Sequence, residues 1–157
     1  MADPVEALTG LLTELGRASG IALSSPLYAL VSGLHVLGLA LLIGGILLVD
    51  LRLVGLTALP RLAADQLRRV AATGLALSLA TGVMLLSARP GEYFANPVVW
   101  AKLVVVAAAS LNAIAFSLLG RLPDEGERPG PYARFAGAVS LAGWLAALGL
   151  GRWIAFT

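Results

Sequence analysis

His35 is the only histidine in the chain, and it stands inside a long apolar run. Imidazole titrates near neutral pH, ligates metals, and donates or accepts hydrogen bonds. Lys102 and Arg152 also fall within mainly apolar stretches. A charged side chain at the bilayer centre costs about 2.5–3.5 kcal/mol on insertion scales, so such groups usually face the bundle interior or a cavity. The three side chains together predict a polar pocket with His35 at its floor and two cations at its rim. It would take an anionic or carbonyl-bearing ligand, such as a quinone or a haem propionate, or a metal on His35. Asn112, strongly polar near the middle of its run, is a further cofactor-binding candidate. Each residue has a plainer alternative. Lys102 and Arg152 can snorkel their heads to the interface, and His35 or Asn112 can simply hydrogen-bond a neighbouring helix.

The elements that hold these residues are written in blocks of apolar sequence. Leu27 to Val49 is 23 residues without Asp, Glu, Lys or Arg. At ~1.5 Å rise per residue, a helix of that length covers the ~30 Å hydrocarbon core of a bilayer. The chain has 157 residues, 59% hydrophobic and 13% charged, whereas a soluble domain carries roughly 25% charged residues. The expectation is one membrane domain over residues 1–157: an all-α, integral membrane, four-helix up-down bundle with spans at about 27–50, 70–88, 97–119 and 132–156. A short amphipathic helix over 4–16 precedes them. Asp3 can cap it, Pro4 suits its first turn, and Val5, Leu8, Leu12 and Leu15 form one apolar stripe. Such a helix is expected in the membrane interface, or docked on a partner subunit. Asp3 and Glu6 also exclude a basic signal-peptide start.

Small residues recur every fourth position in the second span, at Gly74, Ser78 and Gly82. That stripe lets another helix backbone approach closely. Asp50 and Arg52 close the first span. Side chains two apart on a helix do not face one another, so each needs another partner, and a structural role is expected for both.

Composition also excludes much. With no cysteine, disulfides, thiolate metal sites and cysteine nucleophiles are impossible. The net charge is +2 and no Lys/Arg block with interleaved aromatics occurs, so no nucleic-acid partner is expected. No phosphate loop, zinc motif or intramembrane acid pair is present, and His35 and Asp50 are about four helical turns apart, too far for a Ser-His-Asp relay. One histidine cannot supply both axial ligands of a bis-His haem, which would need a two-fold dimer or another ligand type. Arg52, Arg61, Arg68, Arg69, Arg121, Arg128 and Arg134 lie on one side, against Arg17 and Arg89 outside the spans on the other. Positive charge stays cytoplasmic, so both termini are expected outside.

The stretch LHVLGLALLIGGILLVDLRLVGL, with His35, Gly38, Gly44 and the Asp50-Leu51-Arg52-Leu53 string, resembles an uncharacterised family of small four-helix bacterial inner-membrane proteins. Thr81-Gly82, the Asn96-Pro97 to Lys102 segment, Asn112, Trp144 and Gly151-Arg152 agree with it. The family is similar, more distantly, to the membrane domain of copper-resistance D proteins, where a His early in one span and a later Lys occur in comparable places. The resemblance implies a bacterial inner membrane location and a metal or redox role. The functional expectation is a non-enzymatic membrane subunit binding a redox cofactor (haem, quinone or copper) near His35, in a homo-oligomer or a larger membrane complex. A structural accessory subunit and a permease built from several copies are the alternatives.

Overall fold

The computed structural model describes residues 3–157. Six helices follow one another: α1 (Pro4–Ser19), α2 (Ser25–Val54), α3 (Arg61–Ala88), α4 (Pro90–Ala95), α5 (Pro97–Leu119) and α6 (Pro131–Trp153), ending in a single 3₁₀ turn, Ile154–Phe156. α2, α3, α5 and the α6 segment are long and apolar enough to cross a membrane. The protein is an all-α, multi-pass membrane bundle with a short N-terminal helix. Four crossings put both termini at one end, here the terminal face. The connections 55–60 and 120–130 form the opposite loop face.

Local chemistry sets the helix ends. Asp3 Oδ1 accepts from Val5 N–H at 3.0 Å, Ser24 Oγ from Leu27 N–H at 3.3 Å, and Asn96 Oδ1 from Val98 N–H at 2.9 Å, each ahead of a proline in the first turn. Ser24 therefore caps α2. α2 stops at Gly55, whose φ of 86° lies in the left-handed region. Its N–H donates to Arg52 O, and the next N–H to Leu51 O, which satisfies carbonyls the helix end would otherwise orphan.

Three elements differ from the sequence expectation. α1 continues past Gly16 to Ser19, because Gly16 packs against the Ser87 backbone at the end of α3 and no side chain would fit there. α3 begins at Arg61, so the charged approach Arg61–Arg69 is already helix. Between the second and third spans, where no helix was expected, Pro90–Ala95 form the short α4. α1 rests on the terminal-face ends of α3 and α4 and leaves Val5, Leu8, Leu11 and Leu15 exposed, an apolar edge suited to the headgroup boundary.

α2 is the central helix. α3 and α6 pack on it, α5 packs on α6, and α5 and α3 barely approach each other at the backbone. Two apolar clusters fill the interior. Val49, Leu53, Ala64, Phe116, Leu122, Ala133 and Ala136 lie toward the loop face. Leu42, Ala71, Ala109 and Trp144 form the waist. Most large apolar side chains of α5 point outward, where lipid rather than water is their solvent.

Candidate functional site

The small-residue stripe of α3 places His35. A Cβ on Gly74 would lie 2.6 Å from Gly38 O, and one on Gly38 2.7 Å from Ser78 Oγ, so the α2 and α3 backbones touch. This contact carries the partly buried ring of His35 onto the next turn of α3, where His35 Nδ1 lies 3.0 Å from Thr81 Oγ1. Gly82 clears the space beside the ring, since a Cβ there would stand 3.3 Å from His35 Cε1.

The tautomer follows from the hydroxyl. Thr81 Oγ1 donates its proton to Leu77 O at 2.6 Å. Its oxygen is then the acceptor and His35 Nδ1–H the donor. Neutral imidazole carries one N–H, so Nε2 holds the lone pair, and no hydrogen bond occupies Nε2 among the described residues. Nε2 is thus a ready acceptor or metal ligand.

Lys102 comes from α5. Its stem lies along Gly151 of α6, where a Cβ would meet Nζ at 3.1 Å. Glycine at 151 therefore lets the ammonium turn into the bundle, in the same terminal-face half as His35. Arg152 goes the other way. It is exposed, and its guanidinium sits 4.7 Å over the Phe156 ring, a cation–π contact at the terminal-face edge. The structure brings His35 and Lys102 to one half of the bundle and leaves Arg152 outside.

Asn112 belongs to the other half. Its Nδ2 donates to Ala136 O at 3.0 Å and ties α5 to α6. It lines a small cavity with Asp50 and Ser140. Asp50 is fifteen residues beyond His35 on one helix, ~22 Å at helical rise. Arg52 is buried and donates through Nη2 to Pro123 O at 2.6 Å, pinning the second loop to the first span. Arg61 pairs with Asp124 across the same loops.

At the terminal face the hydroxyls of Tyr28 and Tyr93 meet at 3.3 Å. Burial, and then the Tyr28 hydroxyl, push the Tyr93 phenol up to about 12. On the loop face, the Asp124 backbone N–H and then Arg121 hold the exposed Glu127 carboxyl below its ordinary range.

Sequence reading missed Thr81 as the partner of His35, and Ser140 beside Asp50. Thr81 stood three residues after Ser78 on a stripe legible as a packing surface, and nothing in the spacing marked its hydroxyl as the one that fixes the ring. Among the described residues no three His, Asp or Glu side chains converge, so a metal on His35 would draw its other ligands from elsewhere.

Over residues 7–157 the chain belongs to DUF6644, a family of unknown function. No curated protein and no solved structure matches it.

Proposed function

We propose that the protein is a non-enzymatic subunit of a bacterial inner membrane, with both termini outside, that binds a quinone-class carrier between His35 and Lys102. The observation behind this reading is the orientation of the His35 ring. With Nδ1 spent on Thr81, Nε2 can accept from a hydroquinone hydroxyl, while Lys102 can donate to a quinone carbonyl. An acceptor and a cationic donor on apolar spanning helices suit both redox forms of such a ligand. Small ligands are held by a few well-placed polar groups within an otherwise apolar lining, which the apolar helices around this pair provide.

A metal or haem is the second reading, favoured by the lone pair on Nε2. The distant resemblance to copper-resistance D proteins, carried by His35 and Lys102, agrees with it. Its donor set is incomplete within one chain, so it requires a second copy or a partner subunit.

The test is a titration of the purified protein in nanodiscs with a short-chain benzoquinone, alongside its absorption spectrum. Saturable binding to colourless protein, lost in His35→Gln with unchanged thermal unfolding, supports the quinone reading. A haem spectrum that disappears in the same variant supports the second. Colourless protein that binds no quinone overturns the first.

A further inference from the structure

A second polar centre lies toward the loop face, apart from the His35 site. Asp50 is 1% exposed and its Oδ2 meets no hydrogen-bond donor among the described residues. Ser140, 3% exposed on α6, likewise holds an Oγ without a partner. Both line a partly open cavity of about 40 Å³ between α2, α3, α5 and α6, larger than the ~10–15 Å³ that one water needs. A buried carboxylate oxygen without a donor costs several kcal/mol unless water or a proton meets it. Ionisable groups buried within a spanning helix are functional candidates by default.

We propose that this cavity is a proton-binding site, in which Asp50 takes up and releases a proton through water joining its Oδ2 to Ser140 Oγ and, on the α3 side, to Arg68. Uptake converts carboxylate and hydronium into carboxylic acid and water, and no other bond changes. The charged groups around the site are consistent with reversible occupancy. α2 contributes the buried Arg52. α3 contributes Arg68, which lines the cavity, donates to Ser117 Oγ at 3.1 Å and stands 3.9 Å from Asp65. α6 contributes Arg134, exposed near Gly55, and α5 contributes only the neutral Asn112 to the lining. Arg68 is the one cation of the lining, and the Ser140 hydroxyl can serve either form of the carboxyl. A metal cation fits worse. Asp50 is the one acidic residue of the lining, whereas Ca²⁺ takes 6–8 oxygens, and the Arg68 cation stands in the same wall.

Infrared difference spectroscopy against pH, on the full chain in liposomes, tests the assignment independently of any ligand at His35. The expected result is a protonated-carboxyl band that grows as pH falls and is lost in Asp50→Asn. In Arg68→Gln its midpoint moves to higher pH, because the one cation of the lining is gone. Ser140→Ala, which removes only a hydroxyl, also displaces the midpoint and remains informative should Asp50→Asn not fold. An unchanged band in Asp50→Asn, or a midpoint indifferent to both Arg68→Gln and Ser140→Ala, overturns the proposal.

Discussion

The α2–α3 seam and the α3–α5 side of the bundle are built in opposite ways. Along the first, Gly38, Gly45 and Gly74 bring two backbones into contact, and a Cβ on Gly45 would lie 2.7 Å from Leu67 O. Along the second, the backbones stay apart and long side chains bridge them, such as Arg68, which reaches Ser117 and lies 5.8 Å over the Phe116 ring. In lipid no hydrophobic force drives helices together, so close packing and interhelical hydrogen bonds decide which pairs associate. The tight seam fixes one histidine to within a hydrogen bond. The open side leaves room inside the bundle, where Asp50, Asn112 and Ser140 surround a cavity.

This contrast orders the expected effects of substitution. Gly74→Val drives a branched side chain into the Gly38 carbonyl and should cost about 3 kcal/mol, or abolish folding. A thermal unfolding midpoint close to the unmodified protein's would break the tight-seam description. Arg52→Ala leaves the buried Pro123 carbonyl without its donor. It should cost about 1–3 kcal/mol, read as a lower midpoint and faster proteolysis between residues 120 and 130. Thr81→Val removes the hydroxyl that donates to Leu77 O and accepts from His35 Nδ1; the interhelical bond to His35 is worth about 0.6 kcal/mol in membrane interiors. Its larger consequence is a His35 ring free to turn, seen as weakened quinone binding. Ser117→Ala on the open side should change stability by less than about 0.5 kcal/mol, and a loss comparable to that of Gly74→Val would erase the distinction between the two sides.

The terminal face adds a pH dependence. The Tyr93 phenol is raised from 10.0 to about 12, so folding favours its protonated form. The corresponding stability is complete below about pH 10 and is lost as pH rises toward about 12. Tyr93→Phe should flatten that alkaline decline in unfolding midpoint.

Much of this architecture was legible in the sequence. Uncharged runs such as Leu27–Val49 dictate spanning helices, and Gly74, Ser78 and Gly82 announce a close-packed seam before any coordinates. The charged stretch Arg61–Arg69 was harder, since polarity there hid a helix that continues beyond the apolar segment. The site was less legible. Lys102 and Arg152 occupy similar depths in the sequence, yet Gly151 lets one turn inward while Phe156 holds the other at the edge. Such choices depend on which neighbour offers space or a ring, and spacing along one helix does not encode that. Asn112 shows the same limit: its polarity was plain, and its partner, Ala136 O on another helix, was not.

The most direct test uses the fact that the chain has one histidine. Protein labelled with ¹⁵N-histidine in nanodiscs gives nitrogen resonances from His35 alone. With a short-chain benzoquinone or its hydroquinone added, the Nε2 resonance should move saturably while Nδ1, held by Thr81, stays in place. Resonances that ignore both ligands, or that are identical in Thr81→Val, would contradict the account.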